Sequence, residues 1–304
     1  MNNPLFLLIK RIIAYLLSLF ALLNGHPSQP APEGPDAAAY VFSSAQEYQD
    51  YYLYCMDEDP EPYSWSQEAL AARDNVEKVV SANGFTVALF RNNTARINAL
   101  EDVSARDVVI PSEVEGHTVT AIYSILPYQN YDAAGKIAAT LRSVVIPDSV
   151  EYIMERAFED LSNLRSVSFG RRLKYMEANA FRDCSFLTTV ALPDALEEIP
   201  AVAFNGCLAL TEVVFGSHVR TIGRYAFEHC PCLRKVTLPA STETLEEYCF
   251  AQCDSLSYVY IPAGVTAIGY NAFGKCGRLT LHGENGSLAQ QYAAENGIPF
   301  RVGA

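Results

Sequence analysis

Residues 187–209 (LTTVALPDALEEIPAVAFNGCLA) and 210–232 (LTEVVFGSHVRTIGRYAFEHCPC) are two consecutive copies of one 23-residue unit. Six such units follow one another over residues 141–278 without an insertion or a deletion, and each begins with a leucine. A fixed period of this length is typical of a solenoid, in which each unit buries its apolar face only against its neighbours. Because solenoids present extended binding surfaces, the repeat favours recognition over catalysis.

The apolar positions of the unit predict where its strand lies. Position 1 is leucine and position 4 is valine in all six units, and an apolar residue follows at position 6. This alternation indicates a short strand with one buried face, and the proline or glycine at position 7 ends it. Positions 2, 3 and 5 are variable, so we expect them to face outward.

A second buried set follows the strand. Positions 10 and 13 are apolar in five units, and positions 17 and 18 are Ala-Phe in five units and Cys249-Phe250 in the other. The small residue allows close approach of the backbones, and the phenylalanine fills the centre of the coil. We expect a stacked column of six rings: Phe158, Phe181, Phe204, Phe227, Phe250 and Phe273.

Five of the eight cysteines occupy position 21 of successive units: Cys184, Cys207, Cys230, Cys253 and Cys276. This spacing predicts one column of thiols inside the solenoid, where cysteine packs as a small hydrophobic residue. One cysteine per coil does not provide a tetrahedral set of four ligands, so the pattern disfavours zinc. The parallel side-chain directions disfavour disulfides between neighbours. We expect neither a metal site nor a cofactor.

The run LxxVxIP, followed by V..I and AF..C, resembles the BspA-type leucine-rich repeat, a 23-residue class found mainly in bacterial surface proteins and some protists. The general leucine-rich pattern has Asn or Cys a few residues after the strand. This chain has its cysteine at position 21 instead, which is the BspA-type arrangement. The resemblance implies a β-rich α/β solenoid, a right-handed leucine-rich repeat ladder of 23-residue coils. It implies interaction as the function, with no common ligand and no known active site.

The start of the solenoid also resembles this family. Residues 85–89 and 95–100 match its opening hairpin. Residues 107–122 match a first, irregular repeat, which is followed by extra residues around 123–140.

The closing segment LTLHGENGSLAQQYAAENGIPF resembles the strand, short helix and last strand that form the C-terminal cap of the family. Ser287 with Gln290 predicts a capping box at the start of that helix. Asn296-Gly297 predicts its end.

The first 25 residues resemble an export signal. Lys10-Arg11 is followed by twelve uncharged residues, 12–23, which match the charged and apolar regions of a secretory signal. No clear A-x-A cleavage site follows, so the segment is either a cleaved signal peptide or a signal anchor. We expect an extracellular or cell-surface location, with membrane contact only through this segment; a cytoplasmic protein is the alternative.

Residues 40–82 predict a small helical N-terminal segment. Ser44 with Glu47 forms a capping box, and residues 65–81 show a second helical pattern with valines on one face. We expect a cap over the open end of the solenoid, since such ends must be covered; a separate docking module is the alternative. The predicted organisation is a signal peptide or anchor (1–25), a Pro-rich linker (26–39), the helical segment (40–82) and the solenoid (83–304), which comprises the opening hairpin and irregular repeat (83–140), six regular repeats (141–278) and the C-terminal cap (279–304).

The net charge of −13 is unevenly distributed. Residues 26–75 hold ten acidic residues and one basic residue, whereas residues 141–278 hold 16 acidic and 13 basic residues. The solenoid is therefore nearly balanced, and no basic region is large enough to favour nucleic acid as a partner.

The sequence shows no catalytic constellation. The five histidines form no metal-binding spacing, and no phosphate-binding loop, dinucleotide fingerprint or nucleophile elbow occurs. His229 is adjacent to Cys230, but the repeat accounts for Cys230 as a packing residue. We expect a protein that is not an enzyme and has no catalytic residues.

The variable positions carry the candidate binding residues. Exposed tyrosine and arginine are frequent interface anchors, although tyrosine and threonine also simply suit exposed strand positions. The candidates are Arg165, Arg234, Lys235, Tyr258 and Tyr260 on the strands, and Tyr152 and Tyr175 at position 12.

These observations predict a monomeric, non-enzymatic protein that recognises a protein or glycan ligand, for example in adhesion. A structural or scaffold protein of the cell envelope without a discrete ligand is the first alternative. The second alternative is an accessory or inhibitor module that docks an enzyme through the acidic N-terminal helices.

Overall fold

The computed structural model of the chain describes residues 76–127 and 130–303. The strands within these residues are β1 (Val76–Ala82), β2 (Phe85–Phe90), β3 (Thr94–Leu100), β4 (Asp107–Val109), β5 (Glu113–Val114), β6 (His117–Ile122), β7 (Ser143–Val145), β8 (Tyr152–Ile153), β9 (Ser166–Ser168), β10 (Tyr175–Met176), β11 (Thr189–Ala191), β12 (Glu198–Ile199), β13 (Glu212–Val214), β14 (Thr221–Ile222), β15 (Lys235–Thr237), β16 (Thr244–Leu245), β17 (Tyr258–Tyr260), β18 (Ala267–Ile268), β19 (Thr280–Gly283) and β20 (Phe300–Val302). The helices are α1 (Tyr131–Thr140) and α2 (Leu288–Glu295).

The first strand of every coil joins one parallel sheet of nine strands, in the order β20-β19-β17-β15-β13-β11-β9-β7-β4. The position-4 valines stand in register, as Val144 does with Val167 and Val190 with Val213. Their side chains belong to or pack against the hydrophobic core, while the residues at positions 3 and 5 are exposed in most strands. The predicted alternation of buried and exposed strand positions is confirmed.

The second strands of the coils, which include positions 12 and 13, form a second ladder that is interrupted once. β8 and β10 continue a sheet that starts with β1-β2-β3-β6, whereas β12, β14, β16 and β18 form a separate sheet. Elsewhere in this ladder a position-14 N–H donates to the position-13 carbonyl of the preceding coil, as Gly223 does to Ile199 at 2.8 Å. Pro200 occupies position 14 of the third unit. Because proline has no N–H to donate, the ladder breaks between β10 and β12.

Six phenylalanine rings are stacked along the solenoid, as the repeat predicts. Neighbouring ring centroids lie 4.7–5.7 Å apart, with interplanar angles of 3–7°. Five of the rings are fully buried, and Phe273 at the end of the column is nearly so. The backbone N–H of each of the first five donates to the position-17 carbonyl of the next coil, as Phe204 does to Ala226 at 2.8 Å. Ring stacking and backbone hydrogen bonds thus fix the spacing of the coils together.

The turns on either side of the Ala-Phe pair use the left-handed region of backbone conformation. Positions 16 and 20 have φ values between 49° and 72° in all six units, and Gly206 is the one glycine among these twelve residues. A left-handed conformation costs a non-glycine residue roughly 1–2 kcal/mol, and the β-branched Val202 is least suited to it. At Val202 and Tyr225 the hydrogen bonds between coils therefore hold a backbone conformation that the side chain disfavours.

The prediction of a helix over residues 65–81 is wrong for residues 76–81, because residues 76–82 form β1. β1 pairs antiparallel with β2 across the two-residue turn Asn83-Gly84. The φ values of this turn, 53° and 80°, are typical of a type I′ hairpin. Pairing with β2 therefore outweighs the helical spacing of the valines. The predicted export signal, the predicted linker and residues 40–75 of the predicted helical segment lie outside the described residues.

The opening of the solenoid places α1 beside the first regular coil. β2 and β3 pair antiparallel, β3 pairs parallel with β6, and β4 begins the nine-stranded sheet. Most of the extra residues of the irregular repeat form α1, and the Asn130 side chain caps it by accepting the Ala133 N–H at 3.0 Å. Ile137 on this helix is fully buried in the core.

The C-terminal cap has the predicted order of strand, helix and strand, in β19, α2 and β20. Gly297 follows the helix with a φ of 65°, as the Asn-Gly pair predicts. The predicted capping box is wrong in its detail. Ser287 is the N-cap residue, but its hydroxyl makes no capping bond. The Gln290 side chain accepts the N–H of Gly286 at 2.7 Å instead.

Replacing Phe204 with alanine should lower the free energy of unfolding by about 3–5 kcal/mol, because a fully buried ring is lost. Phe204 stacks on two neighbours, whereas Phe273 stacks on one and meets Tyr292 edge-on at 6.0 Å. Phe273→Ala should therefore cost less. Urea unfolding followed by circular dichroism measures both losses. Equal losses would contradict a column in which each ring depends on both neighbours.

Candidate functional site

The outward side of the nine-stranded sheet, formed by positions 2, 3 and 5 of each coil and the corresponding residues of its first and last strands, is the strand face. Five of the seven candidate residues lie on it, and all five are at least partly exposed: Arg165, Arg234, Lys235, Tyr258 and Tyr260. Tyr152 and Tyr175 lie on the second ladder instead. The structure therefore brings only part of the predicted surface together.

Lys235, Tyr258 and His282 form a contiguous group at one end of the strand face. The Lys235 ammonium lies 4.5 Å from the centroid of the Tyr258 ring, within the range of a cation–π interaction. The Tyr258 and His282 ring centroids are 4.3 Å apart. Because these contacts already order the Tyr258 ring, it loses little conformational entropy when a partner binds. The sequence does not single out His282, since it lies on β19, beyond the last regular unit.

Arg165 makes a similar contact elsewhere on the strand face. Its guanidinium lies 5.9 Å from the ring centroid of Phe186, a large apolar side chain that is 54% exposed. Phe186 occupies position 23 of the second unit, to which the repeat pattern assigns no role. This pair adds a second exposed cation–aromatic contact, which sequence reasoning missed.

Tyr152 belongs to the contacts between coils. Its hydroxyl donates to Glu177 at 2.5 Å, and burial together with this carboxylate raises the pKa of the phenol. The other oxygen of Glu177 accepts the backbone N–H of Glu155 at 2.8 Å. The ring of Tyr175 lies 5.7 Å from that of Tyr152 and remains exposed. Of this pair, Tyr175 is the residue that a partner can reach.

Position 11, at the edge of the second ladder, alternates in charge along five coils: Glu151, Lys174, Glu197, Arg220 and Glu243. Lys174 lies 3.1 Å from Glu151, and Arg220 lies 3.7 Å from Glu197 and 2.6 Å from Glu243. Exposed pairs of this kind contribute little to stability. With three carboxylates and two cations the column keeps a net charge of only −1, so it has little attraction for a charged partner.

Four of the five position-21 thiols are buried and that of Cys276 is partly buried, and each has a hydrogen-bonding role that the sequence does not reveal. Each sulfur donates to the carbonyl of the position-18 phenylalanine in the preceding coil, with Sγ–O distances of 3.1–3.4 Å. Burial raises the pKa of Cys230 and lowers the pKa of the adjacent His229. Both shifts oppose a thiolate–imidazolium pair, so these residues do not form an activated nucleophile.

Polar side chains at position 19, which are buried or half-buried, contact polar side chains of the neighbouring coils. Arg182 Nε lies 2.6 Å from a Glu159 oxygen, and burial raises the pKa of Glu159. Glu228 accepts hydrogen bonds from the amides of Asn205, at 3.0 Å, and Gln252, at 3.2 Å. These contacts join one coil to the next, so we assign them a structural role.

The described residues also lack two other kinds of functional element. No group of three His, Cys, Asp or Glu side chains within them could hold a metal ion. In residues 76–127 and 130–303, no helix has the length and apolar character needed to span a bilayer.

Comparison with known proteins supports the repeat assignment. The family described as BspA type leucine rich repeat region has six copies of the repeat. Its model matches residues 136–205 and 174–284 of this chain. No curated protein is similar enough to this chain to count as a relative.

One solved structure shares the fold of this chain, and two others resemble it less closely. A leucine-rich repeat protein of T. pallidum is 24% identical with a TM-score of 0.59, and the match covers 75% of this chain and 100% of that one. A leucine-rich cell surface protein of Faecalibacterium prausnitzii A2-165 is 20% identical with a TM-score of 0.40, covering 68% and 76%. A leucine-rich repeat protein of Bacteroides ovatus ATCC 8483 is 21% identical with a TM-score of 0.43, covering 73% and 66%. At 24% identity, the similarity to the T. pallidum protein establishes the fold alone.

Thiol labelling of the native chain should modify Cys232 rapidly and Cys207 slowly, because Cys232 is exposed whereas burial raises the pKa of Cys207. A disulfide reagent followed by peptide mass spectrometry assigns the rate to each cysteine. Labelling in guanidinium is the control and should make the two rates similar. Fast modification of Cys207 in the native chain would contradict the buried thiol column.

Proposed function

We propose a protein-binding role for this chain, which belongs to the BspA-type leucine-rich repeat family. The binding surface is the strand face. The observation that carries the proposal is the group formed by Lys235, Tyr258 and His282, in which a tyrosine ring is held between neighbouring coils by a cation and a second ring. Tyrosine and cationic side chains are frequent anchors of protein interfaces.

The rigidity of the ladder supports this role. The strands that carry the group, β15, β17 and β19, pair in parallel with one another, and the stacked rings hold the coils beneath them. Side chains that are ordered before association lose little entropy when they bind, so more of the contact energy contributes to affinity.

The composition of the strand face favours a protein ligand over a glycan. Val214, which is 53% exposed, stands on the same face as the tyrosines and cations. A protein partner can cover such aliphatic side chains with its own and remove them from water. A glycan has no aliphatic side chains to do so. A scaffold without a discrete ligand has no use for ordered, exposed aromatic groups.

We also propose that the chain is exported. The proposal rests on residues 1–25, in which two cations precede twelve uncharged residues, a pattern typical of secretory signals.

Protease treatment of intact producing cells should remove the solenoid from the cell fraction, because an exported chain is accessible from outside. An immunoblot with antiserum against residues 141–278 measures the loss, and a cytoplasmic protein serves as the control for cell integrity. Loss of the band only after lysis would assign the chain to the cytoplasm.

A photo-crosslinking amino acid at Thr237 should form a discrete adduct on producing cells, because this exposed residue pairs in register with Tyr260 on the strand face. The same amino acid at the exposed Ala267, on the second ladder, is the matched control and should form none. Gel electrophoresis after irradiation measures adduct formation at each of the two positions.

Replacing Tyr258 and Tyr260 together with alanine should abolish the Thr237 adduct with little change in Tm, since both rings are partly exposed. The pair Tyr175→Ala and Tyr270→Ala, two exposed tyrosines away from the strand face, should leave the adduct intact. An adduct that survives loss of Tyr258 and Tyr260, or equal adducts from Thr237 and Ala267, would move the binding site to another surface.

A further inference from the structure

We infer that the partner of the strand face is an acidic polypeptide; this inference rests on the proposed function and narrows it. The face is basic although the whole chain has a net charge of −13. Its cations are Arg106, Arg142, Arg165, Arg234, Lys235 and Arg301, and its carboxylates are Asp107 and Glu212. With six cations and two carboxylates, the strand face carries a net charge of +4.

The cations of the strand face have no carboxylate partner within the described residues. Nine other lysines and arginines of the same residues form ion pairs with Asp or Glu, whereas none of the six on the strand face does. Of the two carboxylates on the face, Asp107 accepts a hydrogen bond from the Ser143 hydroxyl at 2.6 Å, and Glu212 stands in register with Lys235. Two carboxylates offset only part of the charge of six cations, so most of the positive charge of this face is not neutralised by its own side chains.

Three of the arginines stand in one column. Arg106, Arg142 and Arg165 occupy position 2 of consecutive coils, and the N–H of each of the last two donates to the carbonyl of the one before, at 2.6 Å and 2.8 Å. Neighbouring strands lie about 4.8 Å apart, so like charges in such a column repel.

The contrast with position 11 shows that the fold does not require this arrangement. Position 11 has the same step from coil to coil, yet its charges alternate from Glu151 to Glu243. A column of like charges lowers stability, and its natural use is to meet a partner of opposite charge.

The neighbours of the arginines favour a polypeptide. Val109 and Val145 pair in register on the strands that follow Arg106 and Arg142, and they are 70% and 42% exposed. A segment with acidic and apolar side chains satisfies both the cations and the valines. An anionic glycan satisfies the cations alone. Charge complementarity of this kind speeds association and makes affinity depend on salt.

Binding of a random copolymer of glutamate and tyrosine to the full chain tests the inference, with fluorescence anisotropy as the measurement. The variant R106Q/R142Q/R165Q should bind about tenfold more weakly or worse, and the affinity of the unaltered chain should fall as salt rises. The control R171Q/R172Q/K174Q removes the same amount of charge from cations that are paired with Asp148 and Glu151. It should change affinity by no more than about twofold. Circular dichroism confirms that each variant is folded.

Equal losses in the two triple variants would overturn the inference, because they would reflect overall charge and not the strand face. Binding of dextran sulfate without binding of the copolymer would also overturn it, and would assign the face to an anionic glycan. The proposed function is tested separately. The Thr237 adduct could persist in R106Q/R142Q/R165Q while the copolymer does not bind to the unaltered chain. In that case the strand face remains the binding surface, and only the inference of an acidic partner fails.

Discussion

The stacking of the six phenylalanine rings and the backbone hydrogen bonds between coils together set the distance between coils, and the other regular features of the solenoid depend on that distance. The rings stand 4.7–5.7 Å apart, which is close to the spacing of about 4.8 Å that β-strands need for hydrogen bonding. One step therefore suits aromatic packing at the centre and strand pairing at the surface. The same step brings each thiol to a carbonyl of the preceding coil and each position-11 charge to its partner.

The sequence predicts this core well because the period removes ambiguity. A single Val or Phe has several explanations, whereas a residue type that recurs every 23 residues has the same surroundings in every coil. For this reason the columns of Val, Phe and Cys can be predicted from the sequence, and so can the outward direction of Tyr258 and Lys235. Cys230 shows the value of the period, since the column explains a residue that would otherwise suggest chemistry beside His229.

What the sequence does not reveal lies where the period ends or where the backbone dominates. The valines of β1 fit a helical spacing and predict a helix, but the Asn83-Gly84 turn pairs this segment with β2. His282 lies past the last regular unit, so no column points to it. The left-handed residues at positions 16 and 20 include Val202 and Tyr225, which carry no turn signal of their own. The sequence also does not show which charges form ion pairs. It does not distinguish Arg165 from Arg172, but within the described residues only Arg172 of these two forms an ion pair.

The missing donor at Pro200 gives the array a seam. Coils of a solenoid communicate only through the interface between neighbours, and here the interface between the second and third units is weakened in the second ladder. That ladder is broken between β10 and β12, whereas the nine-stranded sheet continues through β9 and β11. Opening that starts at either end therefore tends to stop there, which divides the array into two cooperative units. The arginine column lies in one of these cooperative units and the Lys235–Tyr258–His282 group lies in the other. A ligand long enough to bind both would stabilise the interface between the two units and make them unfold together.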